Sequence, residues 1–201
     1  MSKITKIEEQ KKKKNRVNLY IDGEFASGLY KETLIKYHLY VGKELSHSEL
    51  ISIQSNENLV EAKERVRNYL SYRHRSKKEV NDYLIGKGFN KEVIEKVERD
   101  FENAGLLNDC LFAERWVKDR NARNPKGHFA LRMELKEKGI SDVDIEKALK
   151  FVDERENARK AALKAIKKYS NKKDSKKKIL TYLQRRGFPS YLSREVVEEN
   201  E

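Results

Sequence analysis

The stretch Ser76-Lys-Lys-Glu-Val-Asn-Asp-Tyr-Leu-Ile-Gly-Lys-Gly-Phe89 decides the fold, because the chain repeats its pattern twice more. The other copies are Gly127-His-Phe-Ala-Leu-Arg-Met-Glu-Leu-Lys-Glu-Lys-Gly-Ile140 and Ser175-Lys-Lys-Lys-Ile-Leu-Thr-Tyr-Leu-Gln-Arg-Arg-Gly-Phe188. Each has a leucine four positions before its last glycine, a basic residue directly before that glycine and an apolar residue after it. A recurrence at a period of about 50 residues predicts one supersecondary unit copied in tandem.

Each copy of this motif predicts a short helix that ends at its glycine. In the first copy, Ser76 and Glu79 form a capping-box pattern at the start of the helix. Gly88 can end the helix in the left-handed conformation. Amphipathic stripes predict a second helix after each motif and a third beyond it, for example over 108–121. We therefore predict a mainly α protein, a tandem array of three-helix repeats similar to helix-turn-helix or winged-helix domains.

The predicted domain boundaries follow from this repeat. We expect a basic N-terminal segment over 1–56 and a lead helix with the first repeat over 57–122. The second repeat would cover 123–170 and the third 171–201. The third repeat would then lack its third helix.

The N-terminal segment carries the strand signal. Apolar and polar residues alternate over 17–21, and Asp22-Gly23 is typical of a two-residue hairpin turn. We predict a β-hairpin near 17–28, which is the only convincing strand signal of the chain. Short helices are predicted over about 31–38 and 46–54.

The charge of the chain predicts a polyanionic partner. Lys and Arg number 45 against 33 Asp and Glu, which gives a net charge of +12, and 39% of the residues are charged. This balance is typical of nucleic-acid binding, and less often of binding to a membrane surface or an acidic protein. The single Cys110 favours a reducing cytosol, and no apolar run approaches the roughly 18 residues of a membrane span. We expect a cytoplasmic monomer that does not enter a membrane.

Basic residues recur on or beside the first helix of each repeat, and a second group surrounds the 121–127 linker. A single lysine is most simply explained as part of a solvated face, but a stripe of equivalent positions predicts a surface for a repeating polyanion. Trp116, beside the second group, is expected in the core rather than as a base-stacking platform. The candidate binding residues are Lys77, Lys78, Lys87, Arg120, Arg123, Lys126, Arg132, Lys138, Lys176, Lys177, Lys178, Arg185 and Arg186.

The residue types argue against catalysis and against a cofactor. The four histidines show no metal-ligand spacing. Cys110 lies in an amphipathic stripe with no histidine signal nearby, which predicts a buried structural thiol. Gly86-Lys-Gly88 follows a helix, whereas phosphate is bound where a helix begins. We predict a protein without catalytic, metal-binding or cofactor-binding residues.

The motifs together resemble a known family. The three glycine motifs, with Leu107-Asn108-Asp109-x-x-Phe112-Ala113 between the first two, are similar to those of the bacterial RecX regulatory proteins, which modulate the RecA recombinase. The resemblance covers about residues 70–201. It implies an all-helical array that lies in the groove of the RecA–DNA filament and inhibits or tunes the ATPase and strand exchange of RecA. DNA repair, recombination and the SOS response are the implied processes, and no catalysis is implied.

Three functions are compatible with these sequence features. The favoured one is a non-enzymatic regulator that binds RecA or the RecA–DNA filament. The alternative is a sequence-tolerant DNA- or RNA-binding helical module that acts without RecA. Its recognition helices should begin with Arg, Asn or Gln for base edges, and the second helices, which begin Asn90-Lys-Glu, Ser141-Asp-Val and Pro189-Ser-Tyr, do not show that set. A scaffold for acidic proteins has less support.

Overall fold

The computed structural model describes residues 2–200. The chain divides into two compact units. The first contains residues up to Arg73 together with Val80–Ala104, and the second contains His74–Glu79 together with the chain from Gly105 onward. The predicted mainly α class is confirmed, with strand structure only in the N-terminal part of the described chain.

The first unit begins with a four-stranded antiparallel sheet. Its strands are β1 (Ser2–Glu9), β2 (Arg16–Ile21), β3 (Glu24–Tyr30) and β4 (Glu44–Leu45), in the spatial order β3-β2-β1-β4. The predicted hairpin is present as β2 and β3. Its turn residues Asp22 and Gly23 both have positive φ, 51° and 90°, as a hairpin turn of this length requires.

The hairpin is extended by β1 and β4, which no convincing strand signal in the sequence predicts. The register of β1 against β2 shifts between Ile4 and Lys6. Because of this bulge, Ile4 and Ile7 both pack in the core under the sheet although they are three positions apart in the sequence. The apolar residues of β1 therefore do not alternate regularly, and this alternation is what identifies a strand in a sequence.

Two helices cover the inner face of the sheet. The first, α1, spans Lys31–Lys36, and the second, α2, is a single 26-residue helix over His47–Tyr72. The prediction of a separate short helix over 46–54 is therefore wrong. The polar pair Asn56 and Glu57 interrupts the apolar pattern of α2 in the sequence, yet both side chains are buried.

The buried Glu57 joins α2 to the sheet. Its carboxylate accepts hydrogen bonds from the Tyr30 N–H at 3.0 Å and from Thr33 Oγ1 at 2.8 Å, and it lies 3.5 Å from Arg16 Nη2. Burial raises the pKa of Glu57, although the hydrogen bonds from Thr33 and Tyr30 oppose this effect. A polar group can occupy this buried position because each of its oxygens has a partner.

Within residues 2–200, eight further helices follow α2, as the repeat predicts. They are α3 (Lys77–Ile85), α4 (Lys91–Asn103), α5 (Asp109–Arg123), α6 (His128–Glu137), α7 (Asp142–Leu149), α8 (Glu154–Tyr169), α9 (Ser175–Arg185) and α10 (Ser190–Glu198). The motif helices are α3, α6 and α9. Their leucines Leu84, Leu135 and Leu183 are fully buried, and the glycines that follow have φ between 78° and 83°. Both features confirm the predicted role of the motif.

The buried clusters of the second unit show which helices share a core. One joins residues of α5, α6 and α7, including Phe112, Leu135 and Leu149. The other joins α8, α9 and α10, including Ala162 and Leu183. Each core is thus completed by the helix that precedes the motif helix, and α8 supplies the helix that the third repeat was expected to lack. The domain boundaries over 1–56, 57–122, 123–170 and 171–201 stay a prediction.

Candidate functional site

The first motif helix, α3, begins with a capping box, whereas α6 and α9 begin without a side-chain cap. At the start of α3, Ser76 Oγ accepts the Glu79 N–H at 3.2 Å and the Glu79 carboxylate accepts the Ser76 N–H at 3.3 Å. The Lys77 N–H donates to Asp109 Oδ1 at 2.9 Å. These bonds satisfy amides that a helix start leaves without intrahelical partners.

The glycines of the second and third motifs also serve close packing between motif helices. The Gly127 N–H at the start of α6 donates to the Arg186 carbonyl at the end of α9, at 2.9 Å. A β-carbon on Gly187 would lie 2.6 Å from that of Ala130 in α6. A β-carbon on Gly139 would lie 2.7 Å from that of Lys78. The ends of the second and third motif helices therefore meet the start of the preceding motif sequence, where only glycine fits.

The basic residue directly before each motif glycine lies over an aromatic ring. Lys87 Nζ is 5.6 Å from the centroid of Tyr83, Lys138 Nζ is 5.3 Å from Trp116, and the Arg186 guanidinium is 4.6 Å from Tyr182. These are cation–π distances. The recurrence of this basic residue therefore has a structural explanation within each of the three repeats.

Two of these three residues are held further by polar bonds. Lys138 Nζ lies 2.6 Å from Glu79 Oε1. Arg186 donates to the side chain of Asn124 and, at 3.3 Å, to the Pro125 carbonyl. Lys78 is similarly engaged, since its ammonium donates to the Glu137 carbonyl at 3.1 Å. These side chains connect successive motifs and present little free charge to a partner.

The basic group around the 121–127 linker converges on one carboxylate. Glu134 accepts hydrogen bonds from Trp116 Nε1 at 2.8 Å, from Arg120 Nε at 3.0 Å and from Lys126. Burial alone would raise the pKa of Glu134, but the bonds from Lys126 and Trp116 outweigh it and hold that pKa below its ordinary value. Glu134 thus holds both Arg120 and Lys126 and compensates one of their two positive charges. Trp116 is half-buried against the α5–α6–α7 core rather than fully inside it.

The remaining candidates of the second motif differ in availability. Arg132 forms an ion pair with Glu146, which lowers the pKa of that exposed carboxyl. The Arg123 side chain is exposed and forms no hydrogen bond or ion pair within residues 2–200, while its carbonyl accepts the Lys164 ammonium at 2.9 Å.

The third repeat has a groove lined by several of its exposed basic residues. A concavity of about 380 Å³ lies along α9 next to the end of α8. Tyr182 meets Tyr169 edge to face at 6.2 Å between ring centroids. The groove is lined by Tyr169, Asp174, Lys177, Lys178, Thr181, Tyr182 and Arg185. We refer to these seven residues as the α8–α9 groove.

The cations of the α8–α9 groove outnumber its carboxylate. Lys177 and Arg185 are exposed and make no side-chain bond within the described chain, and the Lys178 ammonium donates to the Lys173 carbonyl at 2.8 Å. Asp174 is the acidic member. Two further ammonium groups, those of Lys168 and Lys172, lie 5.3 Å and 5.5 Å from the Tyr169 ring. Tyr169 and Tyr182 were not among the predicted site residues. A signal for Tyr182 is present in the sequence, because a tyrosine five positions before the glycine recurs in the first and third motifs.

The residue five positions before the motif glycine contacts a different kind of partner in the second motif than in the other two. Tyr83 stacks on Tyr69 of α2 with ring centroids 4.2 Å apart, and Tyr182 contacts Tyr169 of α8. In the second motif the equivalent residue is Glu134, which binds Arg120 of α5. The second copy therefore has an ion pair where the other two have rings.

The described residues offer no metal centre and no activated thiol. No group of three or more potential His, Cys, Asp or Glu ligands occurs within residues 2–200. Cys110 is half-buried rather than buried as predicted, because it lies at the start of α5. Burial, and then the nearby carboxylates of Asp144 and Glu114, raise the pKa of its thiol, which disfavours the nucleophilic thiolate.

No helix between residues 2 and 200 is both long enough and apolar enough to cross a bilayer.

Comparison with known proteins gives matches along most of the chain. Family models match the RecX N-terminal domain over 2–46 and the first, second and third RecX three-helix domains over 62–97, 108–149 and 153–197. Regulatory protein RecX of Bacillus pumilus is 37% identical over 193 residues, which are 94% of this chain and 73% of that protein. The Bacillus subtilis protein of the same name is 37% identical over 190 residues, covering 92% and 72%.

Solved structures agree with these matches. A crystal structure of regulatory protein RecX aligns with a TM-score of 0.76 at 30% identity, over 99% of this chain and 100% of that one. The crystal structure of RecX from Lactobacillus salivarius aligns with a TM-score of 0.63 at 27% identity, over 72% and 97%. The repeated motif, the three-helix cores and these similarities agree, and the chain belongs to the RecX family of regulatory proteins.

Proposed function

We propose that this chain is a non-enzymatic regulator that binds RecA and the RecA–DNA filament in the cytoplasm and lowers RecA activity in recombination and DNA repair. Membership of the RecX family supports a regulatory role. The observation that carries the proposal is the α8–α9 groove, where exposed cations and two tyrosine rings line one concavity. Such a surface can receive a phosphate backbone or an acidic protein segment.

The structure separates the thirteen candidate residues by their availability. Lys177, Lys178 and Arg185 surround the groove, and Arg123 is exposed without an ion pair inside the described chain. Lys138 and Arg186 are bonded to the preceding motif. We infer that the first four residues carry partner binding, and that the last two act on it only through the fold.

The proposed mechanism uses several weak contacts on one chain. Each neutralised phosphate contributes a salt-dependent part of the affinity. Tethering several such contacts raises the overall affinity without any single strong site. A protein held in this way along a filament would block the entry of duplex DNA or the addition of further RecA, and either effect would reduce strand exchange.

A RecA ATPase assay on single-stranded DNA, with this chain at substoichiometric amounts, tests the proposal. We expect the rate to fall, and we expect the triple variant Lys177→Gln, Lys178→Gln, Arg185→Gln to require at least about tenfold more protein for the same effect. The matched control changes Lys136, Lys147 and Lys160, three exposed lysines outside the groove, to Gln and should behave as wild type. An unchanged ATPase rate at saturating protein would contradict the proposal.

The alternative function, nucleic-acid binding without RecA, is favoured by one feature, the tyrosine pair beside the cations of the groove. Binding to naked DNA separates the two functions. If binding is already tight without RecA and RecA does not change it, the groove is a nucleic-acid site in its own right.

A further inference from the structure

The outer face of the N-terminal sheet presents an aromatic pair and an ammonium group in one row. Strand pairing places Lys6 opposite Tyr20 and Tyr20 opposite Phe25. The Tyr20 and Phe25 rings meet edge to face with centroids 5.8 Å apart, and Lys6 Nζ is 5.2 Å from the centroid of Tyr20. Phe25 is 59% exposed. These side chains lie opposite the buried face and add little to the core.

The turn that joins β1 to β2 supplies positive charge next to this face. It contains Lys11, Lys12, Lys13 and Lys14, all exposed. None of these four ammonium groups has a hydrogen bond or ion pair within residues 2–200. Residues 10–20 include these lysines and Arg16 but no acidic residue.

The acidic groups of β1 are already paired. Glu8 lies 3.2 Å from Lys6 Nζ and accepts the Tyr20 hydroxyl at 3.3 Å. Glu9 forms an ion pair with Lys31. The positive charge of Lys11, Lys12, Lys13 and Lys14, which we call the lysine turn, is therefore uncompensated. The end of β2 next to the lysine turn lies about 13 Å from Tyr20, at roughly 3.3 Å per residue.

One exposed aromatic side chain on a surface needs no explanation, but exposed rings beside an uncompensated lysine turn match one ligand chemistry. Nucleic-acid bases stack on aromatic rings, and phosphates attract ammonium groups. A ring on an open sheet reaches a base only when that base is not already stacked in a duplex. We propose that the outer face of the N-terminal sheet binds single-stranded nucleic acid, with bases on Tyr20 and Phe25 and phosphates at the lysine turn.

This site lies on other residues than the α8–α9 groove and does not require RecA. The test uses the full chain and fluorescence anisotropy with two labelled probes of about 20 units at several salt concentrations. One is oligothymidylate, and the other is a chain of abasic deoxyribose phosphates with the same charge. We expect wild type to prefer the probe that has bases.

Variants of the face should separate stacking from charge. Phe25→Ala should weaken oligothymidylate binding about tenfold, within the range for loss of one stacked base, and leave abasic binding unchanged. Phe25→Trp should bind at least as tightly as wild type. Tyr40→Ala, which removes another exposed ring of the first unit, is the matched control and should have no effect.

The lysine turn is tested by changing Lys11, Lys12, Lys13 and Lys14 together to Gln. Affinity for both probes should fall, and the slope of log affinity against log salt should flatten by up to about 3, since each phosphate contact in single strands contributes about 0.7. The charge-matched control changes Lys136, Lys147, Lys150 and Lys160 to Gln and should keep the slope. Unchanged oligothymidylate binding by either Phe25→Ala or the lysine-turn variant would overturn the proposal, as would equally tight, Phe25-dependent binding of duplex DNA.

Discussion

Lys138 and Glu79 form an ion pair at 2.6 Å although they lie 59 positions apart in the sequence. Lys138 directly precedes the second motif glycine, and Glu79 accepts the Ser76 N–H in the capping box of the first motif helix. Both side chains are largely shielded, with 29% and 13% of their surfaces exposed. The pair therefore connects the beginning of one motif helix to the end of the next.

We expect this pair to contribute measurably to stability. A double-mutant cycle with Glu79→Gln and Lys138→Gln should give a coupling energy of about 1 kcal/mol in urea unfolding. The control cycle uses Lys91 and Glu95, which are 3.7 Å apart and far more exposed. Exposed pairs of this kind contribute about 0–0.5 kcal/mol. Equal coupling in the two cycles would show that the long-range pair has no special role.

Neighbouring arginines in the third motif should behave in opposite ways. Arg186→Gln removes bonds to Asn124 and Pro125 and the contact with Tyr182, and should lower the free energy of unfolding by about 1–2 kcal/mol. Arg185→Gln, in the exposed groove, should change it by less than about 0.5 kcal/mol but weaken binding to RecA–DNA filaments. Urea unfolding and filament co-sedimentation measure the two effects.

The glycine at the α6–α9 contact should tolerate no side chain. Gly187→Ala adds strain at φ 82° and places a β-carbon against Ala130. Gly105→Ala is the control, since Gly105 also has positive φ, 69°, but a β-carbon there would meet no atom within 4 Å. We expect Gly105→Ala to cost about 1–2 kcal/mol and Gly187→Ala at least about 1 kcal/mol more. Similar unfolding midpoints for both variants would mean that the contact relaxes freely.

Acid should remove the contribution of Glu134. Its pKa in the folded chain lies below the ordinary value, so the carboxylate stabilises the fold above the ordinary carboxyl pKa of about 4.3. This contribution is lost as the pH falls through the depressed pKa. Glu134→Gln should therefore cost about 2 kcal/mol at pH 7, with a smaller difference from wild type below about pH 4. Thermal unfolding of wild type and Glu134→Gln at several pH values measures this difference, and a difference that does not shrink at low pH would contradict the prediction.

The sequence predicts the helices well because their signals are local. Caps such as Ser141 Oγ, which accepts the Asp144 N–H, and glycines such as Gly139 lie within a few residues of the helix ends that they define. Strand β1 and the continuous α2 were missed for physical reasons. A bulge disturbs the alternation of β1, and α2 buries a hydrogen-bonded Glu57 where a sequence pattern predicts an exposed residue.

The candidate site was predictable only in part. Charge density in the sequence identified Lys177, Lys178 and Arg185, which line the α8–α9 groove. It gave the same weight to Arg186, whose partner Asn124 lies 62 positions away. Whether a cation faces solvent or an internal acceptor depends on tertiary contacts of this kind, and local sequence carries no signal for them.

The acceptor role of Glu134 limits how the three motif helices could be exchanged by design. Glu134 occupies the position of Tyr83 and Tyr182, and it is the shared acceptor of Trp116, Arg120 and Lys126. A motif helix transplanted from the third copy into the second would bring a phenol ring and leave three donors without their acceptor. The three motif helices are therefore similar in sequence and backbone but not exchangeable, because the side chains around each one are matched to that copy alone.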